Sequence, residues 1–159
     1  MRTATEVQNK MVKENLFKLA ADPQKNLLPV KIKDAVPHLD FSEFESAMDS
    51  LMASAEQYEK LYAAAMYLSP EKQKELNGIL YASERKLMNE NGLPGRPWYR
   101  HQVYAPGLYT GYGVKTLPGI REAVEQREWK EAQDNIHIVS VCLRAYDELV
   151  RSAIAILNQ

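Results

Sequence analysis

Apolar residues recur every three or four positions along most of this chain, which predicts amphipathic helices separated by breaks at proline and glycine. The first predicted helix covers residues 3–21. It ends at Asp22-Pro23, because the residue before a proline is pushed out of the helical region. Three prolines within residues 22–39 then predict an extended connection to the next helix.

The second predicted helix has an unbroken heptad pattern. Its apolar seam steps alternately by three and four residues through Phe41, Phe44, Met48, Leu51, Ala55, Tyr58, Tyr62 and Ala65. That period favours packing at about 20° to a neighbouring helix, as in bundles and coiled coils. Asp40 is the expected N-cap, and Glu43 stands three residues later in the position of a capping box.

The third predicted helix begins at Ser69-Pro70, with the serine as N-cap and the proline at the first helical position. It is expected to run to about residue 90 and to end at Asn91-Gly92. Its inward positions are Leu76, Ile79, Leu80 and Leu87. Because so short a turn joins the second and third helices, the two are expected to pack as an antiparallel hairpin.

Two helices are predicted near the C-terminus, a short one of about ten residues after Pro118-Gly119 and a long one from Trp129. The long helix has one apolar stripe at Ala132, Ile136, Val139, Leu143, Tyr146, Val150, Ala153 and Leu157. A second, adjacent stripe comprises Ile138, Cys142, Ala145, Leu149, Ser152 and Ile156. Its polar remainder is narrow: His137, Ser140, Arg144, Asp147 and Arg151. Since the two stripes exceed the arc of about 100° that one core face requires, this helix is either central in its own bundle or buried against a second body.

Between the third and fourth predicted helices lies a stretch, residues 92–119, that contains six of the seven glycines and four of the eight prolines. Such a composition breaks helical patterns and predicts a long irregular connection. It also carries five large rings: Trp98, Tyr99, Tyr104, Tyr109 and Tyr112. Disordered segments are poor in aromatic residues, so this loop is predicted to be ordered, with its rings filling its own core and its arginines bonding carbonyl oxygens.

Composition narrows the range of functions. A chain of 159 residues with 45% hydrophobic and 26% charged residues suits one globular domain. The net charge of −1 predicts no nucleic-acid partner, and no run is apolar and long enough to predict a membrane contact. Cys142, the single cysteine, lies in an apolar helical pattern and is expected to be a buried structural thiol.

The central stretch carries a resemblance to a known family. GLPGRPWYRHQVYAP at residues 92–106, followed by KTLPGI at residues 115–120, resembles the C-terminal helical dimerisation domain of the transferrin receptor and glutamate carboxypeptidase II family. LLPV at residues 27–30 resembles the entry to that domain more weakly. The resemblance implies an all-α fold, a four-helix bundle in up-down order with one long crossover through the loop at about 92–118. It also implies that residues 1–159 form a single dimerisation domain, the C-terminal part of a larger zinc-peptidase-like protein.

The same resemblance implies the function of a non-catalytic homodimerisation domain. The zinc ligands and the general base of the family lie in a separate peptidase domain, so this chain is predicted not to be an enzyme on its own and to hold no cofactor. Zinc would be bound by the peptidase domain of the same parent, a carboxypeptidase or aminopeptidase. His38, His101 and His137 are scattered in the sequence, and His101 is expected to make structural hydrogen bonds instead of binding a metal.

Two residues of the loop are candidate substrate contacts. In the peptidase members of the family, a lysine and a tyrosine side by side in the variable loop contact the C-terminal glutamate of the substrate. Alignment on both motifs places these positions at Gly111 and Tyr112, so the tyrosine is present and the lysine is missing. Lys115 is a candidate to replace that lysine. The alternative is that Tyr112 only packs within the loop.

The expected partners are a second copy of the chain and the peptidase domain of the same parent. A different class of function stays open, in which the chain is a stand-alone helical adaptor that binds another protein through its apolar helix faces. The resemblance alone favours an extracytoplasmic location, either secreted, periplasmic or in a membrane-anchored ectodomain.

Overall fold

The computed structural model describes residues 1–19, 30–65 and 67–158, and the chain forms two compact units, Met1–His38 and Leu39–Gln159. The helices are α1 (Arg2–Lys13), α2 (Leu16–Leu19), α3 (Ser42–Ala64), α4 (Pro70–Tyr81), a 3₁₀ helix (Ser83–Leu87), α5 (Pro118–Gln126) and α6 (Trp129–Leu157). Two short strands, β1 (Tyr104–Pro106) and β2 (Val114–Thr116), form an antiparallel pair. The fold is thus mostly helical, as predicted, with a small sheet that the sequence did not predict.

The first unit contains α1 and α2. The single helix predicted over residues 3–21 is interrupted at Asn15, whose φ of 54° lies in the left-handed region. Asparagine tolerates that region better than most residues, so the chain can break there at low cost. Asn9 holds the extended chain beside α1, because its side-chain amide donates to Lys33 O at 2.7 Å and its Oδ1 accepts from Lys33 N at 2.9 Å.

The structure describes the second part of the extended connection that was predicted over residues 22–39. Residues 30–41 form neither helix nor strand, in agreement with the extended connection that the prolines predicted. The predicted stop at Asp22-Pro23 and residues 27–29 of the LLPV motif lie outside the described residues.

The second unit is built on α6, against which α3, α4, α5 and the 3₁₀ helix all pack. Its main core consists of Ala47, Ile120, Ile136, Val139 and Leu143. A smaller cluster toward the end of α6 consists of Leu76, Ala153 and Ile156. The sequence left open whether α6 is central in its own bundle or buried against a second body. The structure shows α6 at the centre of its own unit.

Cys142 lies on this central helix. Its side chain is buried, as predicted, and burial raises the pKa of its thiol. The thiol approaches Met88 O at 3.9 Å.

The predicted antiparallel pairing of the second and third helices is wrong. Among the described residues, the backbones of α3 and α4 make no close contact, and each helix packs on α6 instead. The broad apolar arc of α6 offers both helices more surface than they offer each other, which is the physical reason. The four-helix bundle itself stays a prediction.

The predicted capping box on α3 is also wrong. Glu43 does not bond back to the start of its helix, because its carboxylate accepts from His137 Nδ1 and Arg144 Nη1 on α6, both at 2.8 Å. Hydrogen bonding to His137 is the main reason that the pKa of Glu43 lies below its ordinary value. The predicted N-cap Asp40 lies one residue before the N-cap of α3, which is Phe41. Asp40 still accepts from Ser42 N at 2.9 Å, while its own N–H donates to Gln133 Oε1.

Helix α4 begins as predicted and ends early. Ser69 Oγ accepts from Lys72 N at 3.3 Å, and Pro70 is the first helical residue. The predicted helix to about residue 90 instead ends at Tyr81 and gives way to the 3₁₀ helix. With three residues per turn, that segment changes the face that follows, so Leu87 packs on the main core while Leu80, predicted inward, is 38% exposed.

The polar stripe of α6 faces α3 at Asp147. Its side chain is buried, and its Oδ2 accepts from Ser50 Oγ at 2.8 Å and from Arg151 Nε at 3.0 Å. Burial raises the pKa of Asp147, but the hydrogen bonds from the neighbouring serines and from Arg151 outweigh burial, so this pKa lies below its ordinary value. The carboxylate is therefore a polar link between α3 and α6 that requires its charge.

We expect Asp147→Asn to lower the free energy of unfolding at pH 7 by about 1.5–3 kcal/mol, the range for hydrogen bonds to a charged group. A lowered folded pKa adds stability above the unfolded pKa, and this contribution is lost as pH falls through the folded pKa. Urea unfolding at pH 7 and pH 3 should thus show a difference between variant and parent that shrinks in acid. Asp134→Asn, at a 56% exposed side chain, is the control and should change little at either pH. A difference that grows in acid would contradict this account.

Candidate functional site

The candidate site is the segment between the 3₁₀ helix and α5, residues 88–117, which we call the loop–hairpin segment. Its first part folds back on itself through backbone bridges that pair Met88 with His101 and Leu93 with Arg96. Gly92 has a φ of +69°, and a Cβ there would lie 2.2 Å from Pro97 O. Only glycine allows this close backbone crossing, which brings Leu93 into the interior.

Arg96 is the charged residue at the centre of the segment. Its guanidinium is buried and pairs with Glu122 of α5, at 2.6 Å from Nη2 to Oε2. It also donates to Pro106 O at the end of β1. Buried ion pairs add little net stability, but they fix position because losing one partner leaves an unpaired charge. The pair therefore connects the first half of the segment, the hairpin and α5.

Glu122 uses its second carboxylate oxygen to hold the hairpin. Its Oε1 accepts from Leu108 N at 2.8 Å, at the start of the turn between the two strands. The sequence analysis missed this residue. One signal could have revealed it: the carboxylate of Glu122 lies on the same face of the helix as Gly119 and Ala123, which are both buried. A charged residue at a core position requires a partner of opposite charge or a set of hydrogen bonds.

His101 has the structural role that was predicted. Its Nδ1 accepts from Val103 N at 3.3 Å and from Tyr104 N at 3.1 Å, so its proton lies on Nε2. That nitrogen donates to Glu84 Oε2 at 3.1 Å on the 3₁₀ helix. Beside it, Gln102 is 1% exposed and donates to Arg100 O at 2.8 Å. Backbone and side-chain hydrogen bonds thus order the segment throughout.

The second part of the segment is a β-hairpin, where the sequence predicted an irregular connection. Tyr104 pairs with Thr116, Ala105 with Lys115 and Pro106 with Val114. Leu117 N donates to Val103 O at 2.7 Å and closes the base of the hairpin against α5. The three-residue strands are too short for an alternating pattern to stand out among the prolines and glycines.

The turn of the hairpin, residues 107–113, depends on two glycines. Gly107 N donates to Gly113 O at 3.0 Å, and a Cβ on Gly107 would lie 2.1 Å from Thr110 Oγ1. Gly111 has a φ of +59°, a conformation that favours glycine, although a Cβ there would meet no atom within 4 Å. The backbone of the turn, and not a steric neighbour, thus disfavours a lysine at position 111.

The large rings of the segment point away from its interior, so the prediction that they fill its core is wrong. Tyr112 is fully exposed, and Tyr109 is 80% exposed at the same turn. The remaining rings are also partly or largely exposed: Trp98, Tyr99 and Tyr104. Leu93, Ala105 and Gln102 occupy the interior instead, because Arg96 and Glu122 leave no room for a ring at its centre. The predicted arginine contact with a carbonyl oxygen is present at Arg96.

Lys115 is held against α5. Its Nζ lies 2.6 Å from Glu125 Oε2, and its side chain is only 13% exposed. The ammonium is thus already neutralised by a carboxylate of its own chain. In this structure Gly111 and Tyr112 stand together at the exposed turn, and Lys115 supplies no cation there.

The described residues contain no cluster of three side chains of the kinds that bind metals. Within the same part of the chain, no helix combines the length and the apolar character that a bilayer crossing requires.

Comparison with known proteins gives a family match that covers the loop–hairpin segment and the helices that hold it. A family model described as the transferrin receptor-like dimerisation domain matches residues 39–151. A protein named probable glutamate carboxypeptidase from Arthroderma benhamiae is 42% identical over 91 residues, which cover 56% of this chain and 12% of that protein. A probable glutamate carboxypeptidase of Arabidopsis thaliana is 36% identical over 101 residues, or 54% of this chain and 15% of its own length.

A third relative is named as inactive. It is an inactive zinc metalloprotease of Schizosaccharomyces pombe, 29% identical over 115 residues that cover 67% of this chain and 14% of that protein. In all three relatives the match spans no more than 15% of the relative's length.

The buried pair of the site can be tested by removing one partner or both. We expect Arg96→Leu and Glu122→Leu each to lower the free energy of unfolding by about 3–5 kcal/mol, because each leaves a buried charge alone. The double variant should lose less than the sum of the two, which denaturant unfolding of all four proteins would measure. Lys130→Ala removes an exposed pair with Asp134 and should cost about 0.5 kcal/mol or less. Additive losses at positions 96 and 122 would contradict the coupling.

Proposed function

Because this chain belongs to the transferrin receptor-like dimerisation domain family, we propose that it is the homodimerisation domain of a glutamate carboxypeptidase-like zinc metallopeptidase. The chain contributes no chemistry of its own in this proposal. The zinc and the general base belong to a peptidase domain in the same parent chain. Two relatives named as carboxypeptidases and one named as an inactive metalloprotease support such a parent, and its catalytic state is part of the proposal.

The fully exposed ring of Tyr112, at the end of a rigidly supported hairpin, is the observation that carries the second part of the proposal. An exposed aromatic side chain gains nothing from folding, whereas aromatic residues are enriched at interfaces between proteins. Two groups fix the base of the hairpin, the Arg96–Glu122 pair and the bond from Leu117 N to Val103 O. We therefore propose that the turn is presented to the peptidase domain and that Tyr112 helps form its substrate pocket.

The chemistry of the turn limits which substrates it can favour. Tyr112 offers a hydroxyl and a ring, while Gly111 offers only backbone. Lys115, the nearest candidate cation, is paired with Glu125. A carboxylate-ended side chain of a substrate is bound strongly only by a charge-assisted hydrogen bond, and the turn provides no cation for one. We therefore propose that the parent has little selectivity for a C-terminal glutamate.

Self-association is proposed from the family and from exposed apolar side chains on unit Leu39–Gln159. Most of the apolar surface of α6 is used within its own chain, so only the part of α6 that its neighbours leave uncovered can contribute to a contact between copies. Apolar surface is available at the end of α4, where Tyr81 is 81% exposed, and just after the 3₁₀ helix, where Met88 is 43% exposed. We also place the parent outside the cytoplasm, on the family resemblance alone.

We expect the purified chain of 18.1 kDa to sediment as a dimer at micromolar concentration, because closed two-fold pairing is the commonest form of protein oligomer. Sedimentation equilibrium over a wide concentration range measures the mass directly. A single species at the monomer mass throughout that range would remove the dimerisation proposal.

We expect the full-length parent to cleave glutamate-ended and leucine-ended dipeptides with kcat/KM values that differ by less than about tenfold. A charge-assisted bond to a substrate carboxylate is worth about 1.5–3 kcal/mol, and its absence removes a preference of tenfold or more. Tyr112→Ala should lower kcat/KM for both substrates, whereas Tyr67→Ala, at an 80% exposed tyrosine outside the loop–hairpin segment, is the control and should leave both values unchanged. A strong glutamate preference in the parent would contradict the proposal for Gly111.

A further inference from the structure

A groove of about 450 Å³ lies between α4 with the 3₁₀ helix on one side and α6 on the other. Its apolar floor includes Ile79 and Leu149, and Leu149 is buried. Its walls carry small residues, Gly78 and Ala82 on one side and Ala145 on the other. The groove is therefore open, apolar at its base and shallow-walled, so another chain could approach it closely.

Gly78 is not explained by the structure of its own chain. It lies in the middle of α4, where glycine is less favourable than any residue except proline. A Cβ at this position would meet no atom within 4 Å, and its φ is not in the left-handed region. Nothing within the chain thus requires a glycine here. A glycine in an exposed helix wall does, however, let a second backbone approach more closely than any side chain would allow.

The charged residues of the groove are separated along its length. Helices α4 and α6 run antiparallel, since Leu76 packs with Ala153 while Met88 O lies beside Cys142. Lys86 therefore lies at one end of the groove and Glu75 at the other, with Glu148 between them on the α6 wall. None of these three charges forms an ion pair with another described residue.

We propose that this groove is the surface on which a second copy of the chain docks across a two-fold axis. A two-fold axis turns the partner end for end, so the basic end of each groove faces the acidic side of the other. Lys86 then meets the partner's Glu148 or the partner's Glu75, depending on where along the groove the axis passes. Each ion pair occurs twice, and the small walls allow the two pairs of helices to interdigitate.

This inference rests on the proposed dimerisation, and it names the surface on which the two copies meet. The neighbouring exposed side chains fit an interface core, since Tyr81 is 81% exposed and precedes Ala82 of the groove, and Val141 is 48% exposed one helical turn before Ala145. Tyrosine is among the residues enriched in such cores. The hairpin turn, residues 107–113, stays outside this surface and available to the peptidase domain.

Charge reversal tests the pairing. Lys86→Glu should raise the dimer Kd of the full chain on the order of tenfold or more in sedimentation equilibrium, because like charges then face each other at two places. Adding Glu75→Lys or Glu148→Lys to Lys86→Glu should restore a Kd close to the parent value in at least one combination. The restoring combination identifies the residue that Lys86 meets. No restoration by either one would overturn the proposed pairing.

A second variant tests the glycine and does not depend on charge. Gly78→Gln introduces a good helix former into α4 and should raise the thermal unfolding midpoint of the monomer at low concentration, while it weakens the dimer at least tenfold. Ala53→Gln places the same new side chain at an exposed position of α3, outside the groove, and should leave the dimer Kd unchanged. A Gly78→Gln protein that dimerises like the parent would overturn the inference.

The outcomes separate the two proposals. A parent chain that is monomeric at all concentrations removes the dimerisation proposal itself. A dimeric parent whose Kd is unaffected by all the groove variants keeps that proposal and places the contact on another surface.

Discussion

The buried ion pair between Arg96 and Glu122 is the interaction on which the arrangement of the loop–hairpin segment depends. One guanidinium and one carboxylate together hold the end of β1 at Pro106 and the start of the turn at Leu108. A buried pair fixes direction as well as distance, because both ions must be satisfied at once. The exposed turn can then be rigid without a hydrophobic core of its own.

Helix α6 provides the other constraint, because every helix of unit Leu39–Gln159 packs against it. A helix that is apolar around most of its circumference can support several neighbours, and those neighbours need not contact one another. The groove between α4 and α6 is a consequence, since α4, the 3₁₀ helix and α6 supply its lining within the described part of unit Leu39–Gln159. The same design that buries α6 thus leaves a groove beside it, and this links the core of the chain to its capacity for self-association.

Sequence reasoning succeeded where the determining interactions are local. Ser69 and Pro70 start α4, and Pro118 starts α5, because a cap or a fixed φ acts within a single turn. It failed where a partner distant in sequence decides the outcome. Glu43 fits a capping box locally but bonds α6 from 94 and 101 residues away. Glu122 was missed and the rings of the segment were wrongly placed inside for the same reason, since a buried ion pair across 26 residues cannot be deduced from spacing.

The two surfaces proposed for this chain are supported by different elements, and this separation has a physical basis. The hairpin turn is held by β1, β2 and α5, whereas the groove is lined by α4, the 3₁₀ helix and α6. A dimer contact that used the turn would bury Tyr112 and Tyr109 against a second copy and remove them from a peptidase domain. A contact in the groove leaves both rings exposed. Because glycine at position 78 has no role within its own chain, and an exposed ring at position 112 adds nothing to its stability, each residue is best understood through a partner, and the partners are different.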